Sequence, residues 1–332
     1  MERIAIVGFG RIGRTTVRAG LSEGLFVPAQ IVGTTEPGTP AALFAFDTNY
    51  GRWPEPVTAS DSTLIIGDRH IPYLNGREVE AHWGELGIDL VVDCTGRATT
   101  RAGAQAHLDR GARRVLVSAP SKSLDDCDAV LLPGINLDAL DPERHKIVSM
   151  ASCTTNALAP VVQVLRDLVG IEDGFFSTVH AYTSSQSLTD KPKQARRDSW
   201  AATENIIPSS SGASKALRFI WPDLNITGKA YRVPVRTGSI VELNVRTTRP
   251  TTVEEVNQAF VVAAEVGSLH GILSVLTEEW ASARIVGETA SSIVDLPLTA
   301  VSEGDLVSVA AWYDNEAGYS MRLAETIAAM AS

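Results

Sequence analysis

Short apolar runs in the first part of the chain alternate with glycine turns and helical patterns. β-Branched runs typical of buried strands stand at 3–7, 30–33, 88–93 and 114–117. Helical spacing is found over 13–20 and over 102–110, where Gly111 gives a stop signal. This alternation predicts an α/β domain of the Rossmann type, a mostly parallel sheet with helices on its faces.

The pattern changes after Cys153, where the predicted strands become longer and richer in Val, Thr and Tyr. They stand at 177–182, 231–235, 240–247 and 305–312, with helices at 253–266 and 321–330. We expect an α+β catalytic domain with a large mixed or antiparallel sheet. A length of 332 residues favours two domains. We assign 1–150 to dinucleotide binding, completed by a C-terminal helix at 316–332, and 151–315 to catalysis.

The composition narrows the function classes. Hydrophobic residues make up 44% and charged residues 20%, as in a globular protein. No apolar run approaches the roughly 18 residues of a membrane span, and no signal peptide is expected. A net charge of -10 argues against nucleic acid as a partner, and the basic run KPKQARR lacks interleaved aromatic residues. Three scattered cysteines predict no disulfide framework, no metal site and a reducing cytoplasm.

The motif GFGRIG follows the first strand and opens a helix. Gly8, Gly10 and Gly13 predict a tight turn whose backbone approaches a pyrophosphate at a helix N-terminus. Glu36 follows the second strand, where a carboxylate accepts hydrogen bonds from a ribose and repels a 2'-phosphate. This favours NAD without excluding NADP, and a solvated loop glutamate stays an open alternative.

The stretch SMASCTTNALA places Cys153 just before a helical pattern. A helix N-terminus stabilises a thiolate, so we expect a lowered pKa and a nucleophilic sulfur. His180, at the end of a strand, is the histidine best placed to act as its base. The alternatives are a buried structural cysteine, which is how we interpret Cys94 and Cys127, and a structural histidine. Sequence spacing does not show a contact between Cys153 and His180.

Several motifs together resemble the phosphorylating glyceraldehyde-3-phosphate dehydrogenases over the whole chain. They are GFGRIGR, SAPSK, ASCTTNALAP, VHAYT, NIIPSSSGASKAL, YRVP and WYDNEAGYS. The resemblance implies that Cys153 forms a hemithioacetal with glyceraldehyde 3-phosphate and that His180 acts as acid and base. Hydride then passes to NAD, and inorganic phosphate releases 1,3-bisphosphoglycerate from a thioester. It also implies a homotetramer.

The same resemblance assigns further residues to binding. The phosphate of the substrate is assigned to Thr183 and Arg232. The attacking phosphate is assigned to Ser152, Thr154, Ser211 and Gly212, with Arg197 nearby. The cofactor is assigned, besides the glycines and Glu36, to Arg11, Ile12, Thr95, Gly96, Ser118 and Asn315.

The chain also departs from the family pattern. The family usually has Asn where Val7, Met150 and Met321 stand, Trp at Ala317 and Asp at Glu36. A segment that commonly supplies an arginine near the adenine is missing between Glu80 and His82. The departures leave open a paralogue with altered cofactor or sugar preference, or an ordinary enzyme with repacked surroundings. Two further alternatives are an erythrose-4-phosphate dehydrogenase and a redox-sensing or binding paralogue with weak turnover.

Overall fold

The structure, a computed structural model, describes residues 2–76 and 81–332. The chain divides into two compact units, Met1–Ala151 with Ser320–Ser332, and Ser152–Tyr319. Each unit is built around its own large sheet, so each is described by itself.

The elements of the first unit are β1 (Ile4–Val7), α1 (Arg11–Ser22), β2 (Gln30–Gly33), α2 (Gly38–Ala45), β3 (Phe46–Asp47), β4 (Gly51–Arg52), β5 (Val57–Ser60), β6 (Thr63–Ile66), β7 (Arg69–Asn75), β8 (Leu90–Asp93), α3 (Arg101–Leu108), β9 (Arg114–Val117), β10 (Ala129–Val130) and β11 (Ile147–Ser149). Those that follow are α4 (Cys153–Val169), β12 (Ile171–Ala181), β13 (Ile207–Ser210), α5 (Ala213–Ile220), β14 (Ile226–Val233), β15 (Ser239–Thr247), α6 (Val253–Glu265), β16 (Leu273–Leu276), β17 (Ser292–Asp295), β18 (Ala300–Ser302), β19 (Leu306–Tyr313) and α7 (Ala317–Met330).

The first sheet has the order β10-β11-β9-β8-β1-β2-β7-β6-β5 in the described part of the chain. Its central strands β9, β8, β1 and β2 pair in parallel and are buried along their whole length. Burial on both faces explains why each reads as a continuous apolar run. The Rossmann-type parallel sheet expected from the sequence is confirmed, and the strands at 30–33 and 114–117 have the predicted bounds.

An antiparallel extension formed by β5, β6 and β7 was not predicted. β5 and β7 both pair antiparallel with β6, and β7 joins the parallel part through β2. These strands are half-exposed and carry polar residues on one face, so no apolar run marks them. The available signal is Gly67-Asp68, a two-residue hairpin turn between alternating segments.

The last helix contributes to the first unit from Ser320 onward. Leu323, Ala324 and Ile327 are buried. The hydroxyls of Thr15 on α1 and Ser320 lie 2.6 Å apart and form a hydrogen bond. The C-terminal segment therefore packs as part of the dinucleotide-type sheet domain.

The second unit has a mixed sheet of order β13-β14-β12-β15-β19-β17-β16, with β18 on β19, among the described residues. β12 pairs in parallel with β14 and antiparallel with β15, so the expected mixed sheet is confirmed. α4 contacts β15, β17 and β19. β12 begins at Ile171, six residues before the predicted start. The prediction started too late because exposed Glu172 and Asp173 interrupt the apolar pattern at the beginning of the strand.

None of the helices in the described residues is long and apolar enough to cross a membrane. Residues 2–76 and 81–332 also contain no cluster of His, Cys, Asp and Glu that could hold a metal ion.

Candidate active site

Four predicted cofactor positions follow four neighbouring strands of the first sheet. In the strand order β9, β8, β1 and β2 they are Ser118, Thr95, Gly8 and Glu36. Parallel strands end at the same edge, so the fold gathers the four positions along that edge. This is where open α/β sheets bind dinucleotides.

The glycine loop has the three properties that a pyrophosphate requires. Gly8 has φ +88°, and a Cβ there would lie 2.9 Å from the carbonyl carbon of Cys94. A Cβ on Gly13 would collide with the carbonyl oxygen of Gly8, so α1 packs directly on β1. No atom lies within 4 Å of the position that a Cβ on Gly10 would occupy. No side chain caps the N-terminus of α1. The open backbone at a helix N-terminus fits a dinucleotide phosphate.

Arg11 begins α1, but its side chain is held within the first unit. Its guanidinium forms an ion pair of 3.1 Å with the buried carboxylate of Asp47. Burial raises the pKa of Asp47, and the hydrogen bonds from Arg11 and from the backbone of Asn49 and Tyr50 outweigh it and lower that pKa. The guanidinium of Arg11 is therefore engaged by Asp47 in this structure. The sequence carried no signal for Asp47, which lies 36 residues away.

The turn after β8 is fixed by a buried carboxylate. Oδ1 of Asp93 accepts hydrogen bonds from N and Oγ1 of Thr95, at 2.9 and 2.8 Å. Gly96 follows with φ +70°. The neighbouring Cys94 thiol is hydrogen-bonded to Ser118, and burial raises its pKa to about 12. Burial therefore disfavours the thiolate of Cys94, as expected of a structural cysteine.

Cys153 and His180 are in contact in the second unit. Cys153 is the first residue of α4, and Ser152 caps this helix by accepting a hydrogen bond from N of Thr155. His180 is the penultimate residue of β12 and is buried. Sγ of Cys153 lies 3.3 Å from Nε2 of His180. The structure thus supplies the contact that the sequence could not establish.

Arg232 lies on the other side of the imidazole. It is aligned with His180 in the parallel pair of β12 and β14. Its Nη1 lies 2.6 Å from Nδ1 of His180 and 3.3 Å from the carbonyl oxygen of Ala181. Nδ1 is also 2.6 Å from that oxygen. Nδ1 of His180 therefore has two alternatives. When protonated, it donates a hydrogen bond to the carbonyl oxygen of Ala181; when unprotonated, it accepts one from Arg232, whose guanidinium can only donate.

The protonation of the pair differs from the expectation for a helix N-terminus. Burial raises the pKa of the Cys153 thiol, and this outweighs the lowering by Arg232 and by the backbone N–H of Thr154. Burial and the charge of Arg232 lower the pKa of His180 to about 3. The predicted lowering for Cys153 is wrong for the resting protein, because the loss of hydration exceeds the effect of the helix terminus. Both shifts favour the uncharged forms, a thiol and a neutral imidazole.

The predicted phosphate ligands are only partly brought together. The hydroxyl of Thr183 donates to Oε1 of Gln186 at 3.1 Å, just beyond the end of β12. Nε of Arg232 is buried and has no hydrogen-bonding partner among the described residues. Such an orphaned donor fits an anionic ligand. Ser211 and Gly212 precede α5, and Arg197 is exposed; no described contact joins these three to the Cys153–His180 pair.

Tyr313 also lies at the site, although the sequence motifs did not identify it as a site residue. Its ring meets His180 edge-on, with centroids 5.8 Å apart. Its hydroxyl lies 3.1 Å from Oγ1 of Thr154 and 2.8 Å from Oγ1 of Thr178, which donates to the carbonyl of Ile240. Tyr313 thus joins the first turn of α4 to the sheet. Its place in the motif WYDNEAGYS, two residues before Asn315, was the signal available.

Asn315 is buried and oriented by hydroxyl groups of the second unit. Its Oδ1 accepts a hydrogen bond from Ser239 at 2.9 Å and faces Thr237 at 3.4 Å. These bonds use the carbonyl oxygen of the amide and leave Nδ2 as the end that can donate to a ligand.

Three positions that lack the usual asparagine are filled by apolar packing. Val7 belongs to the core cluster of the first sheet. Met150 is buried, and its sulfur accepts a hydrogen bond from Oγ1 of Thr326 at 3.0 Å. Met321 is 9% exposed. Ala317 instead begins α7, where its N–H donates to Asp314. The missing segment borders residues 77–80, which lie outside the described residues.

Comparison with known proteins gives one consistent result. A family model described as the NAD binding domain of glyceraldehyde 3-phosphate dehydrogenase matches residues 2–101, and one described as its C-terminal domain matches residues 152–315. A protein of Kitasatospora aureofaciens named glyceraldehyde-3-phosphate dehydrogenase is 47% identical over the full length of both chains. A protein of the same name from Geobacillus stearothermophilus is 40% identical over 99% of this chain and 98% of its own.

Proposed function

The chain belongs to the glyceraldehyde-3-phosphate dehydrogenase family, and we propose that Cys153 and His180 carry out its reaction. That reaction is the NAD-dependent oxidative phosphorylation of glyceraldehyde 3-phosphate to 1,3-bisphosphoglycerate. The observation that carries the assignment is the 3.3 Å contact between Sγ of Cys153 and Nε2 of His180 at the N-terminus of α4.

The pair performs the covalent steps. The thiol proton moves to Nε2 of His180 as sulfur forms a bond to the aldehyde carbon. His180 then protonates the oxyanion and later removes the proton of the resulting hydroxyl. Bound NAD supplies the acceptor for the hydride that leaves this carbon. The product of that step is a thioester on Cys153; attack by inorganic phosphate breaks the carbon–sulfur bond and returns the electron pair to sulfur.

Two anion sites are proposed around the pair. Arg232 and Thr183 bind the phosphate of the substrate, and the orphaned Nε of Arg232 supports this role. The second site, for the attacking phosphate, comprises Ser152, Thr154, Ser211 and Gly212, with Arg197 nearby. Hydroxyl groups and backbone N–H groups at the starts of α4 and α5 suit an oxyanion, and the exposed Arg197 supplies charge.

Residues 1–150 with 316–332 form the proposed dinucleotide-binding domain, and 151–315 the catalytic domain. The proposed NAD ligands in the first are the glycine loop from Gly8 to Gly13, Glu36, Thr95, Gly96 and Ser118. Asn315 is the ligand proposed for the carboxamide of the nicotinamide, to which Nδ2 of Asn315 can donate a hydrogen bond.

A homotetramer in the cytoplasm is also proposed. The loop between β12 and β13 exposes Leu188, Trp200 and Ile206 by 61%, 54% and 70%. Contiguous exposed patches of large apolar side chains mark contact sites between proteins, and these three residues are the candidates in this loop. The three cysteines are free, as expected in a reducing compartment. Sedimentation equilibrium tests the assembly against the chain mass of 35.4 kDa.

Steady-state assays test the activity. We expect NADH formation from glyceraldehyde 3-phosphate that depends on inorganic phosphate and is lost in Cys153→Ser. Equal NADH formation without phosphate would exclude phosphorolysis. Erythrose 4-phosphate, assayed in parallel, tests the alternative sugar, which the names of the relatives do not favour. NAD binding in the usual micromolar range, together with loss of turnover in Cys153→Ser, would exclude the sensor alternative.

A further inference from the structure

Glu36 is held by an asparagine from a neighbouring strand. Asn75 is the last residue of β7, which pairs in parallel with β2 so that Asn75 aligns with Gly33. Glu36 lies three residues beyond Gly33. Nδ2 of Asn75 donates a hydrogen bond to Oε1 of Glu36.

The same strand anchors the loop at a second point. Tyr73, two residues before Asn75 and therefore on the same face of β7, is buried and hydrogen-bonded to Thr35. Leu74 lies between them on the opposite face and is exposed. The segment from Thr35 to Glu36 is thus fastened from β7 at two successive residues.

The hydrogen bond from Asn75 matters because Glu36 is one methylene longer than the aspartate usual at this position. A longer exposed carboxylate has more rotamers and loses more entropy when a ligand fixes it. An amide donor holds one carboxylate oxygen and leaves the other to accept from a ribose hydroxyl. The amide is neutral, so the carboxylate keeps the charge that repels a 2'-phosphate.

We propose that Asn75 is a positioning residue for Glu36 and thereby strengthens the preference for a dinucleotide with a free 2'-hydroxyl. The inference rests on the proposed binding of NAD at the glycine loop. On this proposal, the selectivity between NAD and NADP depends on Glu36 and Asn75 together and not on Glu36 alone.

Direct titration of the full chain with NAD and with NADP tests the pair. Asn75→Ala is expected to lower the ratio of NAD to NADP affinity about 3- to 10-fold, the range of one hydrogen bond. The matched control Leu74→Ala, on the opposite face of β7, is expected to keep the wild-type ratio.

A double-mutant cycle separates positioning from a general structural role. In a Glu36→Ala background, Asn75→Ala is expected to have no further effect on the ratio. Urea unfolding of Asn75→Ala and of the milder Asn75→Ser identifies any variant that fails to fold. Equal loss of NAD and NADP affinity in a folded variant, or an unchanged ratio, would overturn the inference.

The outcomes also distinguish this inference from the function on which it rests. Normal NAD binding by the wild-type chain with a ratio insensitive to Asn75 overturns the inference alone. Failure of the wild-type chain to bind either dinucleotide overturns both.

Discussion

Nη1 of Arg232 lies 2.6 Å from Nδ1 of His180, the ring nitrogen that does not face Cys153. Burial, and next to it the charge of Arg232, disfavours the imidazolium and lowers the pKa of His180. If Arg232 binds the phosphate of the substrate as proposed, Nδ1 would be left to donate to the carbonyl of Ala181. We expect the imidazole then to be a better base towards Cys153. We therefore expect Arg232 to link the binding of the phosphate to the activation of sulfur.

Arg232→Gln tests this link. With glyceraldehyde 3-phosphate, kcat/KM is expected to fall about 10- to 200-fold, the value of one or two hydrogen bonds to a charged group. With unphosphorylated glyceraldehyde the loss is expected to be much smaller. Steady-state kinetics with both aldehydes measure the difference, and Lys229→Gln, an exposed change on the same strand, is the control. Equal losses on both aldehydes would mean that Arg232 does not bind the phosphate.

His180→Asn tests the base. Turnover is expected to fall roughly 100- to 10,000-fold, the usual range for acid–base groups, because no ring nitrogen remains to take the proton of Cys153. Alkylation of Cys153 by iodoacetamide at neutral pH is expected to slow as well. Stopped-flow and mass-spectrometric assays measure the two rates. The exposed His70→Asn serves as control, and unchanged alkylation would show that the sulfur and the imidazole are not coupled.

His180 also predicts a dependence of stability on pH. Its pKa is about 3 in the folded chain, below the ordinary value of 6.5, so the unfolded chain takes up the proton first. The resulting stability is complete above pH 6.5 and is lost as the pH falls towards 3, with a limiting slope of about 1.4 kcal/mol per pH unit. Urea unfolding between pH 7 and pH 5 is expected to show a shallower loss in His180→Asn. Parallel curves for the two proteins would contradict the buried neutral imidazole.

Elements that have a regular local pattern of apolar residues could be predicted from the sequence. Strands and contacts that depend on residues distant in the sequence could not. Strands such as 30–33 and 114–117 were predictable because they are buried on both faces and read as apolar runs. β5, β6 and β7 were not, because half-exposed strands of four to seven residues resemble loops.

The same limit applies to the site. Cys153 and His180 could be selected from their motifs, but their contact depends on β12 folding back beside α4, 27 residues later. The direction of the pKa of Cys153 was wrong because burial, which opposes the helix terminus, is not visible in a motif. The partners Asp47, Tyr313 and Asn75 act from 36, 159 and 39 residues away, and a local pattern does not show which distant residue each side chain contacts.

A buried chain of side chains behind Thr95 gives a stability prediction. Nε1 of Trp83 donates to Nδ1 of His107 at 3.1 Å, and Nε2 of His107 donates to Oδ2 of Asp93 at 3.3 Å. His107→Leu leaves a buried donor and a buried carboxylate without this partner, so unfolding free energy is expected to fall by about 2 to 4 kcal/mol. Urea unfolding measures it, with the exposed His82→Leu as control. Equal stability of the two variants would refute the role of this network.

Gly10 and Gly13 are expected to fail in different ways when changed to alanine. Gly10→Ala places its Cβ in open space, so folding is retained while NAD affinity falls, because the methyl group occupies the approach of the pyrophosphate. Gly13→Ala drives its Cβ into the carbonyl oxygen of Gly8, so unfolding free energy falls by about 1 to 3 kcal/mol. Calorimetric titration with NAD and urea unfolding of both variants separate the two effects. A Gly10→Ala chain that binds NAD as tightly as the wild type would place the pyrophosphate elsewhere.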